Sequence, residues 1–402
     1  MTFSGNTFSG NWNYPTKMIF GPGSIKQLAD NCRSLGMSKP LLITDEGLAN
    51  APIVTETLAM LKADGLEAGL FSKVKGNPTG QNVTDGVSAF EDGAYDGVIA
   101  FGGGSGIDAA KAIALMVGQD RPLWDFEDVG DNWTRVNAAG MAPVIAVPTT
   151  AGTGSEVGRA SVILKEDTHE KKIIFHANML PALVIADPEL TLGLPAHLTA
   201  ATGIDAFVHC FEAYCAPGYH PMADGIALEG MRLIKENLMN AFKDGTDIEA
   251  RSNMLVASTM GATAFQKGLG GVHALAHPLG GVFDKHHGLL NAILLPYVMV
   301  RNQEAIAERM ERLARFLDLS TESGAQGFDA VLNWVLDLRA ELSIPHDLSA
   351  LDIPLERATE IGHMAFDDPS AGGNPIALTR QDYADLFVQA VCGDLTAGQM
   401  AA

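Results

Sequence analysis

Short apolar runs punctuate the first half of the chain: PLLITD at 40–45, GVIAF at 97–101, PVIAVP at 143–148 and ALVIAD at 182–187. Between them lie stretches with apolar residues at helical spacing, such as 80–93 and 106–117. Continuous apolar strands alternating with amphipathic helices predict βαβ units and a largely parallel sheet, because such strands are buried on both faces. After DPELTLGLP (187–195) these runs almost vanish. Apolar residues then recur every three or four positions at 201–214, 221–242, 247–265, 304–317 and 323–342, the pattern of helices that bury one face. The change of period, with two Pro and two Gly between 188 and 203, places a boundary near 190. The expectation is an α/β domain over 1–190, an all-α domain over 191–402, and a cleft between them.

Composition narrows what such a molecule binds. The 402 residues are 47% hydrophobic and 19% charged, enough to bury two cores. Lys and Arg number 27 against 48 Asp and Glu, a net charge of −21, with no basic run to offset it. Phosphate backbones and anionic lipid surfaces would be repelled, which excludes nucleic acid and membrane as partners. An anionic small molecule is not excluded, since a pocket can carry local cations. The start, MTFSGNTFSGNWNYPTK, has no basic segment followed by an apolar run, and no stretch is long and apolar enough to span a bilayer. Cys32, Cys210, Cys215 and Cys392 form no C-x-x-C pair, which suits reduced thiols and a cytoplasmic protein. TFSGN occurs twice in tandem, at 2–6 and 7–11, and reads as a local duplication in an N-terminal arm.

Three loops follow predicted strands. GVIAFGGGSGIDAAKAIAL (97–115) sets glycines between a strand and a helix, where free N–H groups and the helix dipole favour an anion. It is neither G-x-G-x-x-G nor a P-loop, so alone it fits a phosphate cradle and an ordinary turn equally. Asp45, at the end of LLITDEG, offers a carboxylate to an adenosine ribose and would repel a 2′-phosphate, favouring NAD over NADP. PTTAGTGSE (148–156) gathers short hydroxyls and flexible backbone suited to a pyrophosphate or a carboxamide.

The helical half carries the candidate metal chemistry. Asp205 and His209 in ATGIDAFVHCFEAY are four apart and share a helix face, as do His273 and His277 in GGVHALAHPLGGVFDKHHG. The Pro and glycines of PLGGVFDK are expected to turn the chain and bring His286 and His287 back. One carboxylate with up to three imidazoles suits Zn(II) or Fe(II), but spacing does not choose among the histidines.

GGGSGIDAAK, PTTAGTGSEV, DPELTLGLPAHLTAATGIDAFVHCFEAY and GGVHALAHPLGGVFDKHHGLLNAILLP together resemble the iron-containing, or group III, alcohol dehydrogenases, and the likeness runs from about residue 14 to about 390. The resemblance implies an N-terminal Rossmann-like α/β domain that binds a dinucleotide and a C-terminal all-α domain that binds metal and catalyses, the dehydroquinate synthase-like architecture. It implies Asp205, His209, His273 and His287 as ligands to Fe(II), with Zn(II) or another divalent metal as substitute. His277 then lies beside nicotinamide and substrate, for proton transfer or positioning, and His286 has no role. NAD contacts are implied at Asp45, Asn77, Gly103, Gly104, Ser105, Gly106, Asp108, Thr149, Thr150, Thr153 and Lys171. Gly106 departs from the family's usual GGGS-P-x-D wording. A homodimer or higher homo-oligomer is also implied.

Arg159 in GSEVGRASVI and Lys267 in AFQKGLGGVH resemble the wording of 4-hydroxybutyrate dehydrogenases, where an Arg fork and a Lys could clamp a substrate carboxylate. The expected reaction interconverts a short ω-hydroxy acid and its semialdehyde. The alternatives are a simple alcohol or diol, or a sulfonate- or phosphonate-bearing aldehyde. Equally, Arg159 could pair with Glu156 or Glu189, and Lys267 with surface acids. A dehydroquinate synthase-type lyase would need more cations than this sequence offers, and a non-catalytic NAD or metal sensor would not need His277 beside a full ligand set.

Overall fold

The computed structural model describes residues 10–12, 16–319 and 327–396. Apart from Gly10 and Asn11, the TFSGN duplication lies outside them, as does the start of the 323–342 segment. The chain forms two compact units, Met1–Leu194 with Thr246–Leu255, and Pro195–Gly245 with Val256–Ala402.

In the first unit the strands are β1 (Gly10–Trp12), β2 (Met18–Phe20), β3 (Pro40–Asp45), β4 (Gly69–Val74), β5 (Gly97–Gly102), β6 (Val144–Pro148), β7 (Ala160–Lys165), β8 (Glu170–Phe175) and β9 (Leu183–Ala186). One seven-stranded sheet has the order β1-β2-β9-β6-β5-β3-β4. Six strands are parallel, and only β1 pairs antiparallel, with β2. Helices α1 (Leu28–Ser34), α2 (Pro52–Ala63), α3 (Gly80–Asp92) and α4 (Gly104–Met116) connect and cover it. Every residue of β5, β6 and β9 is buried, hence their unbroken apolar sequences. The edge strand β4 is only partly buried, and its sequence GLFSKV lacks that run. The hairpin of β7 and β8 likewise escapes the apolar-run criterion, because EKKIIF carries lysines along a two-stranded ribbon outside the main sheet.

The strand order reverses direction between β3 and β5: the chain leaves β3 for β4 on one side and returns to β5 on the other. In open parallel sheets, ligands bind outside the carboxyl ends of the strands at such a switch point. Asp45 ends β3 and the triple glycine ends β5, so both loops stand there.

The helices α5 (Ala196–Cys215), α6 (Pro221–Lys243), α7 (Ile248–Ala264), α8 (Gly271–Phe283), α9 (His287–Arg301), α10 (Gln303–Phe316), α11 (Phe328–Glu341), α12 (Ala358–Asp367) and α13 (Arg380–Cys392) follow, and α7 starts in the first unit. Among the described residues, the second unit contains no strand. Helix α5 is buried on all sides from Thr199 to Cys215, which marks it as the unit's centre. The predicted turn at PLGGVFDK is displaced: Pro278 lies inside α8, and the chain leaves the helix at Asp284, whose φ is 50°. One lost backbone donor is tolerated in a helix held by burial of its other side chains.

Candidate metal and cofactor sites

Three helices of the second unit deliver the metal candidates. On α5, Asp205, His209 and Glu212 recur at helical spacing on one face. On α8, His273 and His277 are one turn apart, and on α9 His287 opens the helix, one turn before Asn291. A Cβ on Gly288 would lie 2.5 Å from the Ala201 carbonyl, so only glycine lets the start of α9 approach α5 this closely. His286, the expected bystander, caps α9: its Nδ1 accepts the Leu289 N–H at 3.3 Å.

The ligand atoms of Asp205, His209, His273 and His287 all lie within 4.8 Å of one another. The His209 and His273 rings stack with centroids 4.8 Å apart, and His273 and His287 are 5.2 Å apart. One carboxylate oxygen and three imidazole nitrogens converging in a mostly buried pocket fit a divalent Fe or Zn ion. His277 stands beside this group, its ring stacked on His287 at 5.4 Å. Its Nδ1 is 2.8 Å from Asp368 Oδ2, which leaves Nε2 free of that bond. Burial works against the Asp368 carboxylate, but His277 and the Ser370 N–H outweigh it and hold its pKa below the usual range.

Two residues that support the ligands escaped the sequence reading. Glu212 Oε2 meets His273 Nδ1 at 2.7 Å and accepts the Gly270 N–H at 2.9 Å, while Oε1 accepts the Val272 N–H at 2.7 Å. The carboxylate keeps the His273 proton on Nδ1 and turns the Nε2 lone pair to the pocket. Burial opposes charging of His273, yet Glu212 outweighs it and raises its pKa, which makes the ring a stronger ligand. Asn291 is fully buried, with Nδ2 2.6 Å from Asp205 Oδ1. A helix-spaced Glu after Asp205 and His209, and an Asn one turn after His287, were the available signals.

In the first unit, the three predicted loops meet. A Cβ on Gly104 would lie 2.5 Å from Thr153, and Gly102, at φ 143°, has the Asp45 carboxylate 3.5 Å from its Cβ position. Gly103 and Gly104 open α4, and Thr149 donates its N–H to the Gly102 carbonyl at 3.0 Å. Gly106 is buried in the first turn of α4, and the Ser105 hydroxyl donates to the Gly76 carbonyl, next to Asn77. Burial raises the pKa of Asp45, partly offset by the Leu48 N–H that it accepts. Asp108 turns instead into the fold: its carboxylate accepts the Ser155 hydroxyl and the Val162 N–H and lies 3.3 Å from buried Lys111. Lys111 Nζ also donates to the carbonyls of Ser155, Gly158 and Ala160, pinning the loop that carries Thr150 and Thr153. Lys171 lies on β8, paired with Leu164 of β7.

Of the two substrate candidates, Arg159 is exposed, its guanidinium over the Phe175 ring at 5.7 Å. Lys267 is different. Its side chain is 3% exposed and its Nζ sits 2.7 Å from Asp224 Oδ1, a carboxylate also approached by Arg309 at 3.4 Å. It presents no free charge.

Residues 15–188 match the family profile described as iron-containing alcohol dehydrogenase, and residues 199–391 match that of the C-terminal domain of the Fe-containing alcohol dehydrogenase family. The chain belongs to the iron-containing alcohol dehydrogenase family. It is 37% identical to a 4-hydroxybutyrate dehydrogenase of Cupriavidus necator, over 94% of this chain and 99% of that protein. The crystal structure of a 1,3-propanediol oxidoreductase matches with a TM-score of 0.87 at 36% identity, covering 93% of this chain and 97% of the other. A sulfoacetaldehyde reductase from Bifidobacterium kashiwanohense, solved with NAD+, matches with a TM-score of 0.82 at 26% identity, covering 93% and 96%. This iron-containing alcohol dehydrogenase is therefore a metal-dependent, NAD(P)-linked oxidoreductase of alcohols and aldehydes.

Proposed function

We propose that the enzyme uses NAD and Fe(II) to interconvert a short ω-hydroxy acid, 4-hydroxybutyrate, and its semialdehyde. The convergence of Asp205, His209, His273 and His287 carries the chemical part of this reading. A divalent ion held by these four would lower the pKa of an alcohol and polarise the carbonyl in the reverse direction. His277, held by Asp368 through Nδ1, offers Nε2 to take or return the hydroxyl proton. Asp45 binds the adenosine ribose and disfavours a 2′-phosphate, and the start of α4 at Gly103, Gly104 and Ser105 receives the pyrophosphate. Asn77, Gly106, Thr149, Thr150, Thr153 and Lys171 complete the cofactor contacts, with Asp108 shaping the 155–162 loop. Four free cysteines support a reducing, cytoplasmic setting, and the outer edge of β1 offers a strand for a homo-oligomer.

The substrate rests on exposed Arg159, a cation for the distal carboxylate, and on likeness to a 4-hydroxybutyrate dehydrogenase. Lys267, bound to Asp224, contributes only by position. That occupied lysine favours the second reading, a neutral diol or short alcohol. Steady-state kinetics with NAD across 4-hydroxybutyrate, C2 to C6 alcohols and diols separates the two. A preference for 4-hydroxybutyrate that Arg159→Ala removes by raising KM is expected; no preference, or an indifferent variant, refutes the carboxylate role.

A further inference from the structure

The Asn291 amide sits where the ligands meet. Its Nδ2 is 2.6 Å from Asp205 Oδ1, 3.1 Å from His287 Nε2 and 3.2 Å from His273 Nε2. Three of the four candidate ligand atoms thus face one NH2 group, which only donates and has two protons for three acceptors. Its other end is less well placed, for the buried Oδ1 has no hydrogen-bond partner. A buried carbonyl without a donor is costly, and rotating the amide by half a turn would place that oxygen against the Asp205 carboxylate and two ring lone pairs. The ligand set therefore selects the NH2-inward orientation.

We propose that Asn291 is a place-holding positioning residue: its NH2 supplies the partial positive charge that keeps Asp205, His273 and His287 converged when no cation is bound. The inference rests on the metal reading of the four ligands. The His273 tautomer that can serve as a ligand keeps its proton on Nδ1 toward Glu212 and presents a lone pair at Nε2, and His287 Nε2 must do the same to receive an NH2 proton. A cation takes those lone pairs, leaving the amide only its bond to Asp205. Asn291 thus stabilises the metal-free chain by more bonds than the loaded one. By linkage, its removal lowers the stability of the metal-free form more than that of the loaded form and tightens metal binding.

The test measures Tm with and without zinc, together with the zinc dissociation constant by chelator competition, on the chelator-stripped full chain. In Asn291→Leu the metal-free Tm falls, the zinc-induced rise grows, and the dissociation constant drops roughly tenfold, the equivalent of one neutral hydrogen bond. A smaller rise and weaker binding would make Asn291 a ligand or a support of the loaded site and overturn the proposal; so would unchanged values. If Asn291→Leu does not fold, Asn291→Ala decides, since it removes the amide without adding a charge or a ligand: the zinc-induced rise must grow, and an unchanged or smaller rise overturns the idea. Failure of the underlying reading looks different, since the parent would then show no zinc-induced rise, or one that His209→Ala leaves intact.

Discussion

Replacing Glu212 with glutamine isolates the influence of a single buried carboxylate on the metal site. Its partners are the Gly270 and Val272 N–H groups and His273 Nδ1, at 2.9, 2.7 and 2.7 Å. All three present protons to a group that only accepts. A glutamine keeps one oxygen and opposes an NH2 either to the Val272 N–H or to the Gly270 and His273 pair. The first orientation sets two donors against each other. The second drives the His273 proton to Nε2 and removes the lone pair that faces Asp205 and His287. Loss of a charge-assisted bond costs about 1.5–3 kcal/mol. Losing an outer partner of a metal-bound histidine typically weakens affinity ~10–100-fold. The two figures agree, because a tenfold change corresponds to about 1.4 kcal/mol. Zinc titrated against a chromophoric chelator should therefore bind Glu212→Gln roughly 10–100-fold more weakly, with the helical content of the chain retained. Parent-like affinity would refute the claim that Glu212 sets the tautomer of His273.

Asp368→Ala frees the His277 ring, so kcat for NAD-linked alcohol oxidation should fall about 10–100-fold while metal content is unchanged; Asp368→Asn, which can still accept from Nδ1, should recover part. Lys111→Met leaves Asp108 and three loop carbonyls without their buried cation, and denaturant unfolding should report a loss of about 3–5 kcal/mol. A loss no larger than that of an exposed lysine would contradict the pinning of the 155–162 loop. Desolvation raises the Asp96 pKa, but bonds from Ser38 and the Lys39 N–H outweigh it and leave it below the usual value. Its contribution is therefore present above the unfolded pKa and lost as pH falls through the folded one. Asp96→Asn should lower Tm at pH 7, and the gap to the parent should close below about pH 4.

The order of strands and helices was largely legible in the chain because burial on both faces leaves an unambiguous mark: β5, β6 and β9 are apolar throughout, and β3 is apolar up to Thr44 and Asp45 at its carboxyl end. Edge strand β4 and the β7–β8 hairpin left no such mark, since half-exposed strands admit lysines and serines. The paired spacings of Asp205 with His209 and of His273 with His277 follow from helical geometry and could be read directly. Which histidine completes the set could not, because His286 and His287 are adjacent and only the close approach of α9 to α5 at Gly288 sends one toward Asp205 and leaves the other to cap a helix. Glu212, Asn291 and Asp368 are ordinary polar residues in the sequence, and their value lies in buried hydrogen bonds to residues distant along the chain. Charge is equally blind: Arg159 and Lys267 look alike on the page, yet one lies exposed beside Phe175 while the other is buried against Asp224. Periodicity records which face an element buries; which polar groups meet inside is set by packing across tens of residues, and only the tertiary structure fixes that.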